Sequence, residues 1–138
     1  MRAVYLSCGL IGLLFLSPLV TSVSARPIKR FDKRTGMCRF LAQPPLDWQS
    51  EPWGTGGVKF REVCKSCHYK NNDKGARFLH AESYTSKAWN RIFAKRRKKC
   101  ARDGSWDRLS EEELQMVNDY LYRNGDWTYD PNSADSCG

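Results

Sequence analysis

Histidine is scarce in this sequence, two residues in 138 against six cysteines. No serine, histidine and aspartate form a recognisable nucleophile set, no carboxylates pair as acid and base, and no glycine-rich phosphate loop occurs. No substrate chemistry is therefore implied. Convincing strand alternation and internal repeats are also missing, which points away from β folds and repeat arrays. At 138 residues there is room for one domain, so a multidomain enzyme is excluded. Beyond one N-terminal stretch there is no long apolar run, which excludes a polytopic membrane protein. Apolar residues at 41% and charged residues at 28% predict a soluble globular product.

The chain opens with Met1-Arg2 and an apolar stretch from Ala3 to about Val23, interrupted by Ser7, Ser17, Pro18, Thr21 and Ser22. Val23-Ser24-Ala25 supplies small residues for a peptidase. The pattern predicts a secretory signal over residues 1–25, cleaved after Ala25. Pro18 and the cleavage site argue against a retained membrane anchor, so no stable membrane insertion is expected. Cys8 precedes most of the apolar run and leaves with the signal. Export to the periplasm is the expected destination. The mature chain then has 113 residues, with 22 Lys+Arg against 15 Asp+Glu, a formal +7. A chain of this size buries only about two thirds of its unfolded surface, so a disulfide, metal or bound cofactor is expected to help hold it.

Residues 26–55, with Pro27, Pro44, Pro45 and Pro52, read as an irregular N-terminal arm anchored by Phe40, Leu41, Trp48 and Trp53. From Gly57 to Cys67 the residues Val58, Phe60, Val63, Cys64 and Cys67 follow helical steps. Tyr69 to Phe78 is polar and predicts a loop. A second helix is expected from Thr85 or Ser86, either of which can cap it, with Trp89, Ile92, Phe93, Arg96 and Cys100 on one face and Gly104 as the stop. A third begins at Ser110, where Glu113 completes a capping box and Glu111 and Glu112 suit the positive end of the helix dipole. Leu114, Val117, Tyr120 and Leu121 form its stripe and Asn124-Gly125 ends it. A coil tail over 126–138 is anchored by Trp127 and Tyr129. The predicted fold class is all-α, three main helices with long loops, the working domain spanning 56–138.

The strongest signal is Cys64-Lys65-Ser66-Cys67-His68. This C-x-x-C-H spacing reads as an attachment site for one covalent c-type haem. Two thiols one turn apart can each add to a vinyl group of the macrocycle. The imidazole that follows can then ligate the iron from one side. A zinc site normally needs a second cysteine pair, and none exists. A thioredoxin-like pair belongs at the head of a helix in an α/β chain, whereas this one falls near a helix end without flanking strands.

Gly56, Phe60 and Cys64 fall at steps of four into this motif, and Leu109-Ser110-Glu111-Glu112-Glu113-Leu114 with Asp119-Tyr120-Leu121 resembles the last helix of a class I c-type cytochrome. The resemblance covers about residues 54–124 and implies a small cytochrome c-like fold. It implies that the first and last helices cross closely, with Gly56, Phe60 and Tyr120 at the crossing. The stretch Ala88-Trp89-Asn90-Arg91-Ile92-Phe93 followed by Lys99-Cys100 is similar to small cytochromes of anaerobic, sulfate-reducing bacteria.

The family places a methionine ligand in the loop before the last helix. Here that loop, Ala101 to Arg108, has none. His80, the only other imidazole, is the expected distal iron ligand, which would give a low-spin, low-potential haem. Met116, Met37, a lysine or an open, water-bound position are the alternatives. Lys95, Arg96, Arg97, Lys98, Lys99 and Arg102 form a basic cluster. It suits a helix C-terminus and solubility, or the docking of an acidic redox partner. Nucleic acid is not expected as a partner of an exported chain. Of Cys38, Cys100 and Cys137, a Cys100–Cys137 disulfide is expected, closing a loop of about 37 residues for about 4 kcal/mol. Cys38 is then left over, although its pairing with either of the others is an alternative. The expected function is electron transfer by a periplasmic monohaem protein that is not an enzyme. The alternatives are a haem-based binder of a small gas with an open sixth position, and a zinc or thiol-redox module.

Overall fold

A computed structural model describes residues 26–42 and 51–126. The expected signal segment, Trp48, Trp127, Tyr129 and Cys137 lie outside the described residues. Two strands, β1 (Lys29–Asp32) and β2 (Met37–Phe40), precede three helices, α1 (Trp53–Lys59), α2 (Ser86–Lys95) and α3 (Glu111–Asn124). The chain is thus mostly helical but not all-α.

The strands pair antiparallel, Lys29 opposite Phe40 and Asp32 opposite Met37, in the arm expected to be irregular. The turn closes with Gly36 at φ 71°, its amide donating 2.8 Å to the Asp32 carbonyl. The left-handed conformation suits glycine. The hairpin's buried side chains are Arg30 and Asp32 rather than apolar residues. Arg30 Nε donates 2.7 Å to Asp119 Oδ1 of α3, and its Nη2 donates 2.7 Å to Gln115 Oε1. Arg39 Nη2 donates 3.0 Å to the other Asp119 oxygen and 2.8 Å to Glu112. Asn90 of α2 accepts from Arg30 and donates to the Phe31 carbonyl. This polar layer ties the hairpin to both later helices.

Helix α1 starts at Trp53, four residues before the expected Gly57, and continues as one wide turn over Phe60–Cys64. There the Lys65 amide donates 3.0 Å to the Phe60 carbonyl. Such π turns recur at functional sites. Gly54, Gly56 and Gly57 stay inside α1 because it lies against α3. A Cβ on Gly56 would sit 1.8 Å from the Met116 carbonyl oxygen, and one on Gly57 would sit 3.0 Å from the Tyr120 ring. Phe60 meets Tyr120 with ring centroids 5.8 Å apart, and Trp53 stacks on the same ring. The expected close crossing is therefore formed, with Gly56 against the α3 backbone, and Phe60 and Gly57 against the Tyr120 ring.

Helix α2 is capped by Thr85, whose hydroxyl accepts from the Ala88 amide at 3.2 Å. It stops at Lys95, well before Gly104, because Arg96 turns left-handed at φ 47°. Cys100 consequently sits in a separate short turn, Lys99–Ala101, and not on a continuing helix face. Helix α3 has the expected box, with Ser110 N donating to Glu113 Oε2 at 2.8 Å and Glu113 N to Ser110 Oγ at 3.1 Å. The core joins Phe60, Trp89, Phe93, Trp106, Leu114, Val117 and Leu121.

The expected Cys100–Cys137 bridge is corrected: Cys100 is a free thiol, as are Cys64 and Cys67, whereas Cys38 is disulfide-bonded. Cys38 occupies β2, far in sequence from the short turn that carries Cys100.

The crossing yields a stability prediction. Gly56→Ala forces backbone against backbone and should cost about 3 kcal/mol or more. Gly75→Ala, where a Cβ meets open space but φ is 61°, should cost about 1 kcal/mol. Urea unfolding of the two variants checks the order, and equal losses would contradict the close crossing. Asp119→Asn, which removes the buried carboxylate charge that faces Arg30, should cost about 3 kcal/mol or more by the same measurement.

Candidate functional site

The wide turn at the end of α1 delivers Cys64, and the chain then reverses through Lys65 to Cys67. The Cys67 and His68 amides both donate to the Cys64 carbonyl, at 3.3 and 3.0 Å. Residues 68–79 make a loop closed at its base three times. Leu79 N donates to the His68 carbonyl at 3.2 Å, Lys65 Nζ donates to the Leu79 carbonyl at 2.8 Å, and His68 Nδ1 meets the Arg77 carbonyl at 2.6 Å. Within the loop, Asn72 Oδ1 accepts from the Lys74 and Ala76 amides.

A carbonyl can only accept, so His68 Nδ1 carries the proton. Nε2 is then the nitrogen with a free lone pair, on a ring whose orientation is fixed by backbone. Metal-ligating imidazoles are commonly held in this way.

Cys64, Cys67 and His68 all line one cavity of about 370 Å³. That volume lies within the range of small-molecule and cofactor sites. Its walls are Phe60 and Val63 from the wide turn after α1, Leu79 and Tyr84 from the central segment, Trp89, Ile92 and Phe93 from α2, Trp106 from the following loop and Leu121 from α3. Phe93 stacks on Trp106 at 4.7 Å, and Tyr84 meets Trp89 edge-on at 4.8 Å. Trp89 Nε1 donates 2.6 Å to the Ala81 carbonyl, so its polar end is satisfied. Lys74, Arg77, Lys98 and Lys99, all exposed, stand at the rim.

Burial pushes the Cys64 thiol up to about 12, with the nearby Cys100 and Cys67 adding to the rise. A thiol-redox pair needs the opposite, a thiol whose pKa is lowered. Among the described residues, no three His, Cys, Asp or Glu gather as a group that could hold a bare metal ion.

His80, the expected distal ligand, is not brought to the cavity in this structure. Its side chain is about half exposed and Nδ1 lies 3.0 Å from Glu82. The reason is local. His80 is extended at φ −137° and ψ 173°, so side chains alternate, and Leu79 and Ala81 take the inward positions. Met37 is exposed on β2. Met116 does not line the cavity either; its carbonyl meets Gly56. The residue that sequence reasoning misplaced is Cys100, which lines the cavity beside Cys64 and Cys67. Its place at helical steps from Trp89, Ile92 and Phe93, which also line the cavity, was the signal for this, although Cys100 reaches the wall from a separate turn and not from the helix.

Comparison with protein-family models, with curated proteins and with solved structures found no match.

Alkylation of the haem-free chain checks this environment. Cys64 should be the slowest of Cys64, Cys67 and Cys100 at mildly alkaline pH. Its rate should keep rising as pH approaches about 12, because the thiolate is scarce below that value. Rapid, pH-independent labelling of Cys64 near neutrality would contradict its burial.

Proposed function

We propose that this protein transfers electrons through one c-type haem held covalently by Cys64 and Cys67, with His68 as an iron ligand. The observation that carries the reading is the convergence of both thiols and a pre-oriented imidazole on one aromatic-walled cavity. The residues fit the group: the walls are apolar, the thiols are half-buried, and Nε2 of His68 has a lone pair to give. When bound, a haem supplies a one-electron ferric–ferrous couple. The chain's own part is to exclude water with Phe93, Trp89 and Trp106, to fix His68 through the Arg77 carbonyl, and to keep the 68–79 loop closed. No substrate-transforming residues are needed, and the protein is read as a carrier and not an enzyme.

The apolar leader and the small residues before Arg26 support export, and the periplasm is the proposed compartment. No helix among the described residues is long and apolar enough to cross a membrane. The lysines and arginine at the rim favour an acidic redox protein as partner, steered to where the haem edge would lie.

One observation favours a second reading. With His80 outside the cavity, no second imidazole reaches the iron site, and a haem with an open sixth position would bind a small gas.

Absorption spectra of the oxidised and reduced protein test the proposal. A c-type haem spectrum whose colour survives acid–acetone extraction is expected, and a colourless protein from a host able to attach haem would contradict it. Carbon monoxide added to the reduced form separates the readings: a carrier with both axial positions filled is unchanged, and a gas binder shifts. Cys67→Ala should greatly reduce the yield of normal holoprotein. For the partner, changing Lys98 and Lys99 to Glu should slow reduction by an acidic redox protein at low salt, with the deficit shrinking as salt rises. Equal rates at every salt concentration would remove the docking role.

A further inference from the structure

The distal position has lost its expected occupant, and the cavity wall offers another. Besides His68, Cys64 and Cys67, the donors lining it include Lys74, Tyr84, Lys98, Lys99, Cys100 and Asp103. Four of these are exposed. Lys98 Nζ is drawn over the Tyr84 ring, 5.3 Å from its centre, and Asp103 Oδ1 accepts from the Ser105 amide and hydroxyl at 3.0 and 2.5 Å. The Tyr84 ring is held edge-on against Trp89 with the Arg77 and Lys98 cations over it, which leaves Cys100. It is half-buried and packs against the aromatic core that forms the walls. Its turn is rigidly tied, with Ala101 N donating to the Lys98 carbonyl and Arg102 and Asp103 N to the Lys99 carbonyl, at 3.0, 2.8 and 3.0 Å.

Resting on the haem reading above, we propose that Cys100 is the second axial ligand of the iron, making the site a histidine–thiolate centre. Sulfur is a donor that haem iron accepts in proteins, and a thiolate holds the ferric state more strongly than a neutral thioether. Ligation replaces the S–H bond by an iron–sulfur bond, and the proton goes to solvent. The protein already supplies hydrogen-bond donors to that sulfur. Burial raises the Cys100 thiol above its usual range; the Trp106 indole and the backbone amides of Cys100 and Ala101 act against that rise, and the Asp103 carboxylate adds to it. A coordinating cation deprotonates such a thiol on binding. Donors to a ligating sulfur tune potential, so Trp106 is a positioning residue as well as a wall. The early end of α2 at Arg96 has a use on this account: it releases Lys99–Ala101 from the helix so that Cys100 can face the cavity. The consequence is a low-potential carrier, reached through sulfur and not through a second imidazole.

The test uses the full chain with haem attached. Covalent haem is quantified in alkaline pyridine, and ferric and ferrous forms are examined by absorption and electron paramagnetic resonance. The wild type should be ferric low-spin with the narrow spread of g-values given by thiolate ligation. Cys100→Ala should keep covalent haem, become high-spin and gain carbon monoxide binding when reduced. Cys100→Met should restore a low-spin haem at a higher potential. His80→Ala should leave the spectra unchanged. Should Cys100→Ala fail to mature, the wild-type resonance and the Cys100→Met potential still decide the matter. A wild type with covalent haem but no thiolate signature overturns the proposal and leaves the haem reading standing. So does a Cys100→Ala protein that stays low-spin, with Lys74→Ala, Lys98→Ala and Lys99→Ala then identifying a lysine ligand. A wild type with no covalent haem removes the haem reading, and this proposal with it.

Discussion

At Gly56 the backbone of α1 touches the backbone of α3, with the position of a missing Cβ only 1.8 Å from the Met116 carbonyl oxygen. No other residue type leaves that gap. The close crossing sets the angle at which α1 leaves the core, and it seats Phe60 on Tyr120. One wide turn later the chain reaches Cys64. A side chain at Gly56 would push α1 outward and carry Cys64, Cys67 and His68 away from the walls supplied by α2 and α3. The attachment motif is local in sequence, but its usefulness depends on this one non-local contact.

The cavity is then completed by alternation and by closure. The 68–79 loop is fastened by Lys65, Leu79 and the His68 ring, so its polar residues stay outside while Leu79 turns in. Trp106 comes back from the loop before α3 to stack on Phe93. Away from the site, the charged layer of Arg30, Arg39 and Asp119 holds the hairpin against α3. It does not line the cavity.

Much of this was legible from residues alone, wherever the determining interaction is short-range. Ser110 and Glu113 specify the start of α3, and Thr85 the start of α2, because a cap is made by residues three apart. The close crossing at Gly56, Phe60 and Tyr120 was expected only through the resemblance, since no local pattern reports a contact between helices so far apart in sequence. The hairpin was not, because its inward residues are Arg30 and Asp32 and hydrophobic alternation cannot report a charged buried face. The end of α2 was missed because Arg96, a good helix former, adopts a left-handed conformation. That single residue moved Cys100 from a helix face to the cavity wall. His80 was chosen by elimination, and elimination carries no information about direction: one step along an extended segment separates an inward Leu79 from an outward His80. The disulfide failed for the same reason, since sequence distance does not say which thiols face the core.

The central claim is that two of this chain's thiols are spent on a cofactor. Intact-mass measurement of the exported protein under denaturing conditions, after treatment with an alkylating reagent, tests it most directly. The account predicts a mass of the mature polypeptide plus one haem, because addition of a thiol across a vinyl group loses no atoms, and it predicts that Cys64 and Cys67 carry no alkyl label. A mass equal to the polypeptide alone, with both Cys64 and Cys67 alkylated, would contradict it.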